Sequence, residues 1–426
     1  MNKRITNFWT GIPALRSRNY RLFFAGQGIS LIGSWMTQVA TVWLVYQLTN
    51  SPLMLGVVGF TSQIPSFFLA PFGGVLVDRW NTRKILIITQ ALAMMQSLAL
   101  AILALTGIIN IWHIIFLSLF QGVINALDAP ARQTFVPEMV EKRADLASAI
   151  ALNSSLVNGG RLIGPAIAGI VIARVGASYC FLIDGISYIA VIAAFVAMRV
   201  KPKQITAKPG NVLQRLKEGY IYAFNSPLIR SVLLLLALFS LMATPYITLI
   251  PIFATKVLGG DAYTLGVLTS ASGVGALIGG IYLSTRKSVL GLGKIIAFAP
   301  ALCGTGIIVF ALSRTLWLSI LMLLLVGLGS ILQISSSNTV IQTIVEDDKR
   351  GRVMSLFTMS FLGMFPFGNL IAGILAERIG APYTLIIGGI FCMLGSAVFA
   401  KYLPKIRQAT RSIYQQKGII PASHTS

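Results

Sequence analysis

Arg161 stands near the middle of a long apolar run, about 15 residues or ~22 Å of helix from the loop on either side. A charge at such a depth costs roughly 2.5 kcal/mol or more unless it is paired or hydrated. Two carboxylates could answer it: Asp184 in the next run along the chain and Asp128 in the run before. The chemistry open to this set is ion pairing, proton binding, or recognition of a charged solute; a static structural pair is the other reading. A second set is uncharged. Gln27, Ser34 and Gln38 recur at about helical period in the first run, Gln63 lies in the second, Asn153 and Asn158 precede Arg161, and Gln333, Ser336 and Asn338 crowd the tenth. Amides and hydroxyls in an apolar helix turn toward other helices or toward a wet cavity, and these residues are read as cavity lining. Covalent chemistry has little to work with. There are two His and three Cys, with no CxxC or HExxH, no paired carboxylates in the runs and no GxxxxGK[ST]. No enzyme, metal or cofactor is expected; Cys180, Cys303 and Cys392 read as small core hydrophobes, and the lone His113 as structural.

The elements that must position these residues are set by hydropathy. The chain is 55% hydrophobic and 11% charged, against about a quarter charged in soluble domains. Twelve apolar runs are long enough to span a membrane: 21–48, 53–77, 85–106, 111–130, 146–174, 178–199, 229–257, 262–285, 292–312, 315–344, 353–377 and 380–403. With no water to satisfy the backbone in hydrocarbon, they must be helices. The net charge of +22 could suggest nucleic acid, but its placement argues otherwise. With both termini on the cytoplasmic side, all but five of the 34 Lys and Arg fall on inner segments. The exceptions are Arg174, Lys256, Arg314 and Arg378 outside and Arg161 in mid-span. That is the positive-inside asymmetry, with membrane lipids rather than nucleic acid as the partner. No cleavable signal peptide is read in the polar, basic stretch before Tyr20.

Residues 160–179 (GRLIGPAIAGIVIARVGASY) return at 364–383 (MFPFGNLIAGILAERIGAPY), aligning Gly164, Ala168, Gly169, Gly176 and Tyr179 with Gly368, Ala372, Gly373, Gly380 and Tyr383. One multi-helix unit is used twice, and the copies differ in charge. Arg161 falls on Phe365, Asp184 on Gly388 and Asp128 on Gln333. The expected division is a six-helix bundle over 1–199, a cytoplasmic linker over 200–228 with an amphipathic helix around Val212 to Tyr220, a second bundle over 229–403, and a loosely ordered basic tail over 404–426. Pro245 and Pro251 should interrupt the seventh span, as is common along transport paths.

Between the second and third spans the chain reads Gly74-Val-Leu-Val-Asp78-Arg79-Trp-Asn-Thr-Arg83-Lys84. This resembles the loop motif of the major facilitator superfamily, in which Asp78 and the basic residues act as a reversible inner latch. Its second copy keeps Gly279-Gly280 but has Ser284 for Asp78. Gly160-x-x-x-Gly164-Pro165-x-x-x-Gly169 resembles the fifth-helix motif of the superfamily's exporters, small residues for close packing with a proline bend. Asn19-Tyr20-Arg21, Asp128-Ala-Pro-Ala-Arg132-Gln133 and Arg350-Gly-Arg-Val-Met-Ser355 look most like the transmembrane secretion effector group, which includes the bacterial enterobactin exporter.

The resemblance spans nearly the whole chain. It implies an all-α membrane protein of 12 helices in two pseudo-symmetric bundles, exporting a siderophore-like or drug-like molecule by alternating access in exchange for protons. It further implies a monomer in a bacterial inner membrane. Two departures are visible. Ser118 stands where many proton-coupled members have an arginine three residues before Gln121-Gly122, and the first span lacks the acidic residue of some cation-drug exporters. Uptake or flipping of a nutrient or lysophospholipid is the alternative.

Overall fold

All twelve runs are helical in the computed structural model, which describes residues 12–200, 220–286, 288–346 and 349–416. Side chains at 70–75, 78, 79, 143, 406, 407, 409–413 and 416 are outside that description, as is the expected linker helix up to residue 219. The spans are α1 (Arg18–Thr49), α2 (Pro52–Arg79), α3 (Thr82–Leu105), α4 (Ile111–Met139), α5 (Leu146–Val175) and α6 (Ala177–Ala197). They continue as α7 (Pro227–Val257), α8 (Ala262–Ser284), α9 (Leu292–Leu312), α10 (Leu316–Ile344), α11 (Arg350–Ile379) and α12 (Ala381–Gln416). No strand occurs among the described residues.

Helix boundaries follow local chemistry. Ser51 and Asn81 cap α2 and α3 by accepting from the backbone N–H of Met54 and Lys84. Asn110 and His113 close a reciprocal capping box at the start of α4, which gives His113 a structural use. Gly176 and Gly380, equivalent in the repeat, end α5 and α11 at φ +98° and +87°, a conformation that costs glycine nothing. Pro245 and Pro251 lack the N–H that the helix needs. Accordingly α7 breaks after Met242, resumes over Tyr246–Ile252 and closes in a π-turn over Phe253–Val257. A second π-turn, Met359–Gly363, splits α11 just before Pro366. The helix α12 runs past Leu403 to Gln416, so the first part of the expected loose tail is helical.

The chain divides into two compact units, residues 1–208 with 250–270, and residues 209–249 with 271–426. In the first, α1 packs on α5 and α6, α3 on α4 and α6, and α2 on α4. In the second, α7 packs on α11 and α12, and α9 on α10 and α12. The close approaches are made by equivalent glycines. A Cβ at Gly122 would lie 2.7 Å from the Ser62 carbonyl of α2, and one at Gly327 would strike the Ser272 carbonyl of α8. A Cβ at Gly164 would lie 3.0 Å from the Ile32 carbonyl of α1, and one at Gly368 2.6 Å from the Leu241 carbonyl of α7. The repeat therefore encodes contacts as well as letters.

Each unit has an apolar core. Phe23, Phe135 and Phe195 meet with ring centroids 6.4 Å and 5.9 Å apart in the first. Val232, Leu236, Ile296, Ile341 and Phe399 meet in the second. Large apolar side chains such as Ile102, Phe116, Ile189, Phe298 and Leu321 point outward, as a lipid-facing surface requires. Trp112 and Trp317, at the starts of α4 and α10, are 73% and 82% exposed, an interfacial aromatic position. Below the first core the amino-terminal segment is tied down. Ser17 Oγ donates to the Met139 carbonyl at 2.6 Å and Tyr20 Oη to the Ala149 carbonyl at 2.6 Å. Asn19 exchanges two bonds with the backbone of Arg199, so the Asn-Tyr entry sews α1 to the ends of α4, α5 and α6.

Candidate functional site

Asp184 lies about two turns into α6 and is 1% exposed. Its carboxylate collects hydroxyls from two other helices. Ser97 Oγ of α3 donates at 2.7 Å and Thr37 Oγ1 of α1 at 3.0 Å to one oxygen, and Ser34 Oγ of α1 lies 3.4 Å from the other, its single proton shared with the Ser30 carbonyl at 3.0 Å. Ser34 Oγ is also 3.4 Å from Tyr188 Oη, one turn along α6. The approach of α1 depends on Gly33, where a Cβ would stand 2.8 Å from Asp184 Oδ1. No Lys, Arg or His among the described residues pairs with Asp184.

Asp128, also buried, is answered differently. Thr89 Oγ1 at 2.9 Å and Gln90 Nε2 at 2.7 Å donate to one carboxylate oxygen, and Arg132, one turn further on α4, forms an ion pair with the other. The helix α3 serves both acids, with Thr89 and Gln90 at one level and Gln96 and Ser97 two turns away, all buried. Tyr188 fills the space between, packed with Ala93 and Ile124. In the second unit, Gln333 and Ser337 take the places of Asp128 and Arg132. Gln333 Nε2 lies 3.4 Å from Ser337 Oγ, so the same one-turn partnership is kept without charge.

The structure does not bring Arg161 to either carboxylate, so of the two readings left open by the sequence the static ion pair is not formed here. The reason is rotational. Gly160 and Gly164 face α1, with would-be Cβ contacts to Trp35 and Ile32, whereas Arg161 is turned by about 100° from Gly160 around the helix axis. The guanidinium is half-buried, and no hydrogen bond or ion pair to it is described. The fifth-helix motif serves two partners. Gly160 and Gly164 back α1, while Gly169 lies against Gly266 of α8, 3.0 Å from a would-be Cβ, inside the first unit.

Of the loop motif, Gly74, Asp78 and Arg79 belong to α2 by backbone, but their side chains lie outside the description. Arg83 has a definite task. Its Nε and Nη2 donate to the carbonyls of Phe195 and Val196, 2.7 Å each, in the last turn of α6. That satisfies two orphan acceptors and places a cation at the helix's negative end. The Lys84 side chain is exposed.

The residues read as cavity lining divide. Gln38 is exposed, and Gln63, Asn153, Asn158 and Asn338 are half-buried. Gln27, Gln333 and Ser336 are enclosed, with Gln333 at 0% exposure, so they do not face open space here. Polar helix positions serve inter-helix packing as readily as water, and periodicity does not tell these apart. Gln27 Oε1, Gln333 Oε1 and Ser336 Oγ have no bonding partner. Sequence reading missed Ser97, Thr89, Gln90 and Tyr188. The signal was present, because a polar pair recurring after seven residues on α3 is a helical stripe.

The family described as transmembrane secretion effector matches residues 9–418. The staphyloferrin A transporter of Staphylococcus aureus is 25% identical over 384 residues, covering 89% of this chain and 95% of that protein. Macrolide efflux protein A of Streptococcus pyogenes is 23% identical over 92% of this chain and 98% of its own length. The multidrug efflux pump Tap of Mycolicibacterium fortuitum is 25% identical over 88% and 93%. Among solved structures, a bacterial homologue of the human lysosomal transporter Spinster, inward-facing and unoccupied, superposes with TM-score 0.72 at 12% identity, over 92% of this chain and 97% of that one. A POT family transporter in complex with a thioalcohol-conjugated peptide gives TM-score 0.73 at 13% identity, over 91% and 96%.

Proposed function

The chain belongs to the transmembrane secretion effector family of the major facilitator superfamily, and from that premise we propose that it exports a siderophore-like or drug-like small molecule across a bacterial inner membrane, by alternating access and in exchange for protons. The family moves solutes rather than transforming them. Export is supported by the near full-length likeness to a siderophore transporter and to drug efflux pumps. The observation that carries the substrate class is Arg161, a permanent cation half-buried in mid-span with no carboxylate upon it. Carboxylate-bearing chelators suit such a group, and cationic drugs do not. Asp184 and Asp128 complete the proposed charge set, the loop motif at Asp78 and Arg83 the inner latch, and Gln38, Gln63, Asn153, Asn158 and Asn338 the lining. The protein works as a monomer, with both termini in the cytoplasm.

The test is transport in inverted vesicles with an imposed pH gradient and a panel of siderophores, macrolides, dyes and lysolipids. Gradient-driven accumulation of one anionic chelator, lost with Arg161→Ala at unchanged protein level, supports the reading. Uptake into right-side-out vesicles, or movement indifferent to the gradient, replaces it with a facilitator of nutrients or lysolipids.

A further inference from the structure

The three charges of the proposed set differ in how they are answered. Asp128 holds Arg132, so its charge is balanced within its own helix. Arg161 is a cation awaiting an anion. Asp184 is an enclosed carboxylate with hydroxyl partners and no cation, and an ionised carboxylate buried without a counter-charge is strongly disfavoured. Something positive must therefore occupy it for part of its working life.

We infer that the Asp184 pocket is a binding site for one small, hard monovalent cation, a proton or a sodium ion, enclosed by α1, α3 and α6 in the core of the first unit. The donor set is all oxygen: both carboxylate oxygens, Ser34 Oγ, Thr37 Oγ1 and Ser97 Oγ. Hydroxyls can turn, donating to the bare carboxylate or presenting lone pairs to a bound ion, so the cage serves both states. One carboxylate among neutral oxygens matches one unit of positive charge and is too little for a divalent ion, which takes six to eight oxygens and usually several carboxylates. The second unit has Gly388 at this position, where even a Cβ would strike the Met242 carbonyl, so the pocket has no counterpart at the equivalent place.

The titratable groups facing it are few. Tyr188 and Cys180 lie on α6 itself. From α3 come Gln96 and Ser97, and from α1 Ser34 and Thr37, none of which titrates in the ordinary range. The Asp128–Arg132 pair of α4 lies beyond Tyr188, and Arg161 of α5 makes no bond to the pocket. The Asp184 pocket is thus separate from the Arg161 face of α5. This inference deepens the proposed antiport, since ion and solute would bind at different places in one unit, and it rests on that reading for its purpose only.

The test reads binding without substrate. The full-length protein in detergent is melted by its tryptophan fluorescence, first across mildly acid to mildly alkaline pH in choline chloride, then at fixed alkaline pH with sodium replacing choline. Wild type, Asp184→Asn, the exposed α8 cap variant Asp261→Asn as control, and the Thr37→Val/Ser97→Ala double variant are compared. A sodium-dependent rise in Tm that is lost in Asp184→Asn, kept in Asp261→Asn and weakened in the hydroxyl double variant establishes a sodium site. A pH-dependent Tm that ignores sodium, and is flattened only by Asp184→Asn, establishes a proton site. Where Asp184→Asn does not accumulate, the double variant decides, because it keeps the carboxylate and must still weaken or displace the response. A wild type indifferent to both ions, or a response unchanged by every pocket variant, overturns the inference. Failure here leaves the export test standing, and failure of export leaves a binding result intact.

Discussion

At the scale of single residues, the contrast between Asp128 and Gln333 gives a sharp experiment. Replacing Asp128 alone leaves Arg132 without its counter-charge in a largely buried place, which should lower stability by roughly 1–3 kcal/mol, given that Arg132 keeps some exposure. The second unit already contains a neutral solution in Gln333 and Ser337. The double variant Asp128→Gln/Arg132→Ser writes that solution into the first unit and should recover much of the melting temperature lost by Asp128→Gln, a non-additivity read in a double-mutant cycle. Arg161→Ala is expected to differ in kind. No partner is stranded, so protein level and Tm should hold while transport of the substrate falls, and a loss of folded protein would instead mark Arg161 as structural. Asp78→Asn should likewise reduce transport without removing the protein from the membrane.

At the scale of elements, the glycines predict opposite outcomes at positions five residues apart in α5. A side chain at Gly164 meets the Ile32 carbonyl and Trp35, and backbone cannot step aside, so Gly164→Leu should cost about 3 kcal/mol or more and deplete the folded protein. Nothing lies within 4 Å of a Cβ at Gly159, so Gly159→Ala should leave yield and Tm unchanged or slightly raised. Arg83→Ala removes both donors from the last turn of α6 and should lower Tm by an amount matching about 1–2 kcal/mol, with Arg83→Lys recovering part of it through charge alone. Because α6 also carries Asp184, Arg83 and the enclosed acid are joined through one helix.

At the scale of the whole molecule, the two units share their helix-packing scheme and differ in charge. Asp128, Arg132, Arg161 and Asp184 all belong to the first unit, and their equivalents in the second are Gln333, Ser337, Phe365 and Gly388. An exporter built this way should bind its coupling ion and its solute's charged group on one unit, with the other supplying shape. Chimaeras test that division. Transferring the second unit of a relative should alter which solutes are carried while leaving any Asp184-dependent ion response in place. A response that travels with the second unit would refute it.

The sequence by itself determined the membrane setting, the twelve helices, the repeat and the family, because each rests on a long-range statistic: hydropathy over about 18 residues, the placement of Lys and Arg, and identity at fixed offset. It also named Asp184, Asp128 and Arg161, since charges in apolar runs are rare enough to stand out. What it left open was whether Arg161 pairs with a carboxylate. Depth along a helix can be counted from a sequence, but rotation about the helix axis cannot, and one residue turns a side chain by about 100°. Only the tertiary structure set Gly160 and Gly164 against α1, turning Arg161 aside, and brought Ser97, Thr37 and Ser34 from two helices onto Asp184. The same limit hid the enclosure of Gln27 and Gln333, because a polar stripe reads alike whether another helix or water covers it.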